Sequence, residues 1–158
     1  MSMIDWTAVP VFGAVDATMP HIIRPSAYAL IARHDGQLAV VRTPTGVHLP
    51  GGGLQPDESA EAGARREARE ETGLTIRVGS WRRAAVEHVA VRDEGFHFEK
   101  RAIFCDAAVV GPLHETSEAD HRLVWLATEQ ALRVLTPPSH RWAVAEWVGD
   151  ESVERSLD

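Results

Sequence analysis

The segment from Pro50 to Leu74, PGGGLQPDESAEAGARREAREETGL, constrains the fold more than any other part of the chain. Three glycines and two flanking prolines demand irregular or closely packed backbone, and the run behind them demands a helix. Residues 58 to 72 lack proline, are rich in Ala, Glu and Arg, and end at Gly73, a residue suited to the left-handed position just past a helix. Asp57 or Ser59 supplies the N-terminal cap. On a helix Glu67, Glu70 and Glu71 stand at i, i+3 and i+4 and share a face with Ala60, Gly63 and Ala64, whereas Arg65 and Arg69 point the opposite way. Small residues mark where a helix approaches its neighbours, so the glutamates face inward or along a cleft.

A run rich in Glu and Arg is ordinarily a solvated face laced by i, i+4 pairs, here Glu61 with Arg65 and Arg66 with Glu70. The partition of glutamates and arginines onto opposite faces argues against that. Like charges on one face cost about 0.2–0.5 kcal/mol per pair, and more once desolvated, so a positive partner is required. Carboxylate ligands, a single cysteine and eight histidines scattered along the chain favour a hard divalent ion, Mg²⁺ or Mn²⁺. Gly51, Gly52 and Gly53 let the backbone approach a ligand and offer carbonyl oxygens. No Gly-Lys-Ser/Thr follows them, which removes the nucleoside-triphosphate P-loop.

The formal charge of −7 and pI near 5.6 oppose a duplex-binding surface, so no nucleic-acid partner is expected. An anionic small molecule then needs a local device such as a metal ion. The lone Cys105, inside AIFCDAAVV, permits no intrachain disulfide and reads as a buried thiol. No segment reaches the ~18 apolar residues of a membrane span and no leader is evident, so a soluble cytoplasmic protein is expected. At 158 residues and 44% apolar composition, the expectation is one domain covering 1–158.

Along the chain, AVPVFGAV reads as an N-terminal strand, and residues 1 to 25, with Pro10, Pro20 and Pro25, as a lead-in. SAYALIARHDGQLAVVRT gives two strands around Asp35-Gly36, a β-hairpin signature. TPTGVHLPGGGLQP reads as a loop. LTIRVGSWRRAAVEHVAVR and GFHFEKRAIFCDAAVV are two long strands paired across RDEG. HRLVWLA is a further strand, TEQALRVL a helix and PSHRWAVAEWV a C-terminal helix. This order predicts a mixed sheet with helices on both sides.

The central segment resembles the Nudix box: Gly, five residues, Glu, seven residues, Arg-Glu, an aliphatic, any residue, Glu-Glu, any residue, Gly, aliphatic. Gly52, Glu58, Arg66, Glu67, Glu70, Glu71, Gly73 and Leu74 occupy its defined places. Ala68 departs, standing where a larger aliphatic is usual, which implies looser local packing. RPSAYALI, ADHRLVWL and SHRWAVAEW are similar to bacterial MutT-like members. The resemblance implies an α+β Nudix fold, a mixed β-sheet sandwiched between α-helices in α/β/α layers. It also implies metal-dependent hydrolysis of a diphosphate bond in a nucleoside diphosphate linked to a moiety X, by water attack at phosphorus.

Carried over by position, Glu67, Glu70 and Glu71 would hold Mg²⁺ or Mn²⁺, with the Gly51 carbonyl as a backbone ligand. Gly52, Glu58 and Gly73 would shape the box, and Arg66 would serve the catalytic site through an ion pair with Glu58. The general base is Glu67 or a distant carboxylate, with Glu118 first and Glu115, Glu94 and Glu99 behind it. Arg42 and His48 are candidates for phosphate, and Trp81, Phe96, Phe98 and Tyr28 for a nucleobase. His121 is read first as a surface histidine, with contact to substrate as the alternative. VEHVAVRD, residues 86 to 93, lacks the proline or tyrosine that marks some specificities, which leaves a nucleoside triphosphate, intact or damaged, as the expected substrate. The alternative is a nucleotide-binding regulatory module with the fold and little catalysis. Such a module would be expected to have lost one of the three glutamates. Trp142 and Trp147 either pack a helix on the core or form a homodimer contact.

Overall fold

The computed structural model describes residues 3–153. Its strands are β1 (Val11–Phe12), β2 (His21–Ala32), β3 (Leu38–Thr43), β4 (Gly46–His48), β5 (Gly51–Gly53), β6 (Ile76–Val91), β7 (Phe96–Val109) and β8 (Arg122–Leu126). The helices are α1 (Ala60–Thr72), α2 (Thr128–Val134) and α3 (Pro138–Gly149). One mixed sheet runs β1-β6-β7-β2-β3-β4, with β5 on β2 and β8 on β3. None of the described helices is long and apolar enough to cross a membrane.

Strand β2 divides the core by its period of two. Tyr28 and Leu30 join Leu38, Val40 and Phe104 on the face covered by α2 and α3 through Ala131, Leu135, Val144 and Trp147. Ala27, Ala29 and Ile31 join Ala39 and Cys105 on the other face, covered by Ala64 and Ala68 of α1. This is the expected α/β/α layering. Trp147 is therefore a core residue, 4% exposed, and Trp142 packs partly buried against the same cluster.

The face under α1 is lined by small side chains, and this explains Ala68. It is fully buried beside Ala27, Ala29, Ala39 and Ala64, where helix and sheet backbones approach closely. Restoring the larger aliphatic is therefore expected to overpack the layer. Ala68→Leu should lower stability by about 1–3 kcal/mol, measured by denaturant unfolding, and a stabilised variant would contradict this account.

Strands β6 and β7 form the long antiparallel pair read across RDEG, from Ile76↔Val109 to Val91↔Phe96, with an irregularity between Val78 and Arg82. Three other expectations are corrected. The turn at Asp35-Gly36 forms, with Arg33 N donating to Gln37 O at 2.9 Å, but β2 and β3 share one register pair, Ala32↔Leu38. The strands then separate because β5 takes the edge of β2, pairing Ser26↔Gly53, Ala27↔Gly52 and Tyr28↔Gly51. The stretch read as a loop thus contains two short strands, β4 and β5.

The third correction concerns the lead-in. Strand β2 begins at His21, includes Pro25, and runs parallel to β7 along its whole length. Pro25 is tolerated because its carbonyl, facing the β5 side, accepts from Leu54 N at 2.9 Å, and the N–H that it lacks would face that same edge where the β5 ladder ends. Only Val11–Phe12 of AVPVFGAV is a strand, parallel to β6.

Candidate functional site

Helix α1 starts at Ser59, whose Oγ accepts from Ala62 N at 3.1 Å, and stops at Gly73, at φ +76°. Between these ends Arg66 ties the preceding loop to the helix. Its Nε and Nη2 donate to the two oxygens of Glu58 at 2.9 and 2.8 Å, and Nη2 also donates to Gly53 O at 3.1 Å. Nη1 reaches Glu67 Oε1 at 3.1 Å and Glu70 Oε2 at 3.2 Å. The bidentate fork holds the Glu58 carboxyl down at about 2, chiefly through the hydrogen bonds from Arg66.

Strand β5 carries the glycines past the glutamates. Gly51 N donates to Glu71 Oε1 at 2.8 Å. A Cβ on Gly52 would stand 2.9 Å from Glu67 Oε1, so the absence of a side chain there is what lets the strand lie against that carboxylate. Glu71 is 3% exposed, Glu67 is half-buried, and Glu70 lies further out against Arg66.

The segment after β7 closes the site by docking on the end of α1. His114 N donates to Gly73 O at 2.7 Å and Ser117 N to Glu70 O at 3.0 Å, satisfying carbonyls that the helix leaves without partners. A Cβ on Gly73 would lie 2.1 Å from His114 O, so close approach and positive φ both require glycine. This docking brings Glu118 and His121 to the cleft that holds Glu67 and Glu71. Glu115 is exposed, Glu94 lies exposed in the turn between β6 and β7, and Glu99 is engaged by Arg101 at 2.8 Å and His21 at 3.7 Å.

Three of the eight histidines, His48, His121 and His140, converge in space although scattered in sequence, and His121 is thereby a cleft residue rather than a surface one. His121 Nε2 lies 3.4 Å and His48 Nε2 3.9 Å from Glu71 Oε2. The His48 Nδ1–H donates to Leu49 O at 2.8 Å and the His121 Nδ1–H to Asp120 Oδ1 at 2.9 Å. Behind them His140, 3% exposed, accepts from Leu49 N at 3.1 Å through Nδ1. Burial holds His48 and His140 below the usual histidine range.

Burial pushes the Glu71 carboxyl up to about 8, against the Gly51 hydrogen bond, and the charges of Glu67, Glu118 and Glu70 push the same way. Glu67 is raised too, first by burial and against the pull of Arg66. Carboxylates desolvated together and repelling one another suit a divalent ion, the partner that would let them all ionise. Among the described residues, the groups whose ligand atoms lie within 4.8 Å of one another are His48 with Glu71 and His121, and Glu118 with Asp120 and His121, so Glu67 and Glu70 stand near this centre rather than in it.

The cleft measures about 690 Å³, ample for a nucleotide. Its lining also includes the cations Arg24 and Lys100, the ring of Phe98 and the carboxyl of Glu87. Arg24 and Lys100 stand side by side in the β2–β7 register, and the Arg24 guanidinium lies 4.8 Å from the ring centre of Phe98. Phe96 meets Phe98 edge-on at 5.1 Å. Sequence reading missed Arg24, Lys100 and His140. The pairing of Arg24 with Lys100 depends on a parallel β2–β7 ladder that no local signal announces.

Other sequence candidates lie elsewhere. Arg42 is exposed on β3, in register with Arg122 of β8 and outside the cleft lining. Trp81 is 7% exposed in the core under α2 and α3, with Arg83 5.0 Å from its ring centre. Tyr28 lines the cleft floor but is 6% exposed, its ring 4.3 Å from His140 and 5.6 Å from Phe104.

A mixed sheet between helices is an architecture shared with solved proteins. A MutT protein from Methanosarcina mazei matches at 26% identity over 85% of this chain and 100% of that one, with a TM-score of 0.60. A C. elegans Ap4A hydrolase shares the fold at 16% identity over 79% of this chain and 95% of its own, with a TM-score of 0.64. The NUDIX domain family profile matches residues 22–148, and the chain belongs to that family. A MutT-like protein from Streptomyces ambofaciens is 42% identical over 65 residues, which cover 40% of this chain and 42% of that relative.

Proposed function

We propose that the protein is a metal-dependent pyrophosphohydrolase that cleaves a diphosphate bond in a nucleoside diphosphate linked to X, with a nucleoside triphosphate, intact or damaged, as its substrate. The observation that carries this reading is that one cleft is lined both by the carboxylates Glu67, Glu71 and Glu118 and by Arg24, Lys100 and Phe98. The NUDIX hydrolase and MutT names of the structural neighbours point the same way.

Mg²⁺ or Mn²⁺ would be held by Glu67, Glu70 and Glu71 with the Gly51 backbone, and when bound it supplies charge neutralisation at phosphate oxygens and a more acidic water. Glu58 and Arg66 hold the loop and helix in place for this, and Arg66 keeps Glu67 and Glu70 oriented through Nη1. Arg24 and Lys100 bind the phosphates not engaged by metal, and the Phe98 face receives the base. Glu118 accepts the proton of the attacking water, since it faces the cleft from a segment anchored on α1, whereas Glu67 is held by Arg66.

The substrate class is tested by measuring phosphate and pyrophosphate release from nucleoside triphosphates, sugar nucleotides and dinucleotides in Mg²⁺. Fastest turnover of a triphosphate, with a monophosphate and pyrophosphate as products, is expected. Preference for a sugar nucleotide or dinucleotide would overturn the substrate assignment and keep the hydrolase.

A further inference from the structure

We propose that His48, Glu71 and His121 form a second cation site, distinct in chemistry from the carboxylate set and suited to an ion that takes imidazole nitrogen, of which Zn²⁺ and Co²⁺ are representatives. One ligand atom from each residue lies within 4.8 Å of the other two. The two His–Glu separations, 3.4 and 3.9 Å, are near the spacing of about 3.4 Å that ligands 2.0–2.2 Å from a tetrahedral ion keep from one another.

Tautomers are fixed in the sense that ligation needs. The His48 Nδ1 contact goes to the Leu49 carbonyl and the His121 Nδ1 contact to the Asp120 carboxylate, both acceptors, so Nδ1 carries the hydrogen and Nε2 is the atom of each ring that faces Glu71 Oε2 and is available to a metal ion. A proton on Glu71 Oε2 can serve only one of the two rings, whereas a cation between them engages all three donor atoms at once. Glu71 satisfies its other oxygen with Gly51 N, which leaves Oε2 directed at the two rings in a side chain 4% exposed. His48 and His121, 23% and 21% exposed, open on the cleft, so an ion has a path in and further positions for water or a phosphate oxygen.

Two imidazoles and one carboxylate favour ions such as Zn²⁺ over Mg²⁺, which seeks oxygen. Glu71 is shared with the carboxylate set, so occupation of the histidine site couples to that set through one side chain. The assignment does not depend on the proposed hydrolysis.

The test uses full-length protein, stripped with chelator and held in saturating Mg²⁺. Zn²⁺ is titrated by calorimetry, and Co²⁺ by its visible absorption, whose intensity and position report imidazole ligation. The same titrations are run on His48→Ala and His121→Ala. His121 lines the cleft and belongs to neither buried apolar cluster, so its truncation leaves the core untouched, and thermal unfolding checks both variants. One equivalent of ion is expected in the wild type, with affinity lowered about tenfold or more in each variant. Absence of binding, equal binding in both variants, or loss in only one of them would overturn the three-ligand site. Mg²⁺-dependent turnover, assayed separately on the wild type, reports on the hydrolase and is not affected by any of these outcomes.

Discussion

Glu67→Gln is expected to reduce kcat by about 10²–10⁴-fold while leaving the fold intact. Glutamine keeps an oxygen for Arg66 Nη1, now 3.1 Å from Glu67 Oε1, and it fits beside Gly52 because no atoms are added. What is lost is the negative charge that the site offers a divalent ion. Arg24, Lys100 and Phe98, which line the same cleft, are unchanged, so KM for the substrate should move much less than kcat. Steady-state kinetics with a thermal melt separates the cases. Near-normal kcat would remove Glu67 from the metal set, and a collapsed melt would show that its role is structural.

The second large effect is a pH-dependent stability in the chelated protein. The Glu71 carboxyl is held at about 8 in the folded chain, against 4.5 when unfolded. Between those values the folded state keeps a proton that the unfolded state has released, so stability falls as pH rises. His48 and His140 act in the opposite sense, because burial lowers them from 6.5, but their contribution is complete once pH exceeds that value. From about pH 6.5 to 8, Glu71 should therefore cost roughly 2 kcal/mol, at about 1.4 kcal/mol per pH unit, a loss of several degrees in Tm. Glu71→Gln has no such proton to lose, so the difference in slope between wild type and variant isolates the effect. Saturating Mg²⁺ should flatten the wild-type slope. Parallel slopes in chelator would mean that Glu71 is ionised in the folded chain without a cation.

Much of this architecture was legible from local pattern. The spacing of Glu67, Glu70 and Glu71 marked a helix face, Gly73 marked its end, Asp57 or Ser59 its start, with Ser59 the observed cap, and alternation around RDEG marked the long β6–β7 pair. The glycine strand was not legible, because Gly51–Gly53 has no intrinsic β preference and pairs only where β2 offers an edge. Pro25 read as a break for the same reason: its missing N–H is harmless only at an edge, which is a property of the sheet.

The site followed the same division. Spacing alone could group carboxylates within one helix, whereas Arg24 with Lys100, and His48 with His121 and His140, meet through strand order and through the docking of the 112–121 segment on α1. Trp81 and Phe98 show the limit of composition. Both are aromatic residues on long strands, and only the face each strand turns inward sends one to the core and the other to the cleft.

The central claim is that paired carboxylates and a metal ion cut a diphosphate in this cleft. Its most direct test is release of pyrophosphate from a nucleoside triphosphate by the wild-type protein in Mg²⁺, in Mn²⁺ and in excess chelator. Turnover with either ion, abolished by chelator and restored by added Mg²⁺, is the predicted result. Equal turnover in chelator, or none with either ion by folded protein that binds the triphosphate, would contradict the account and leave a nucleotide-binding module in its place.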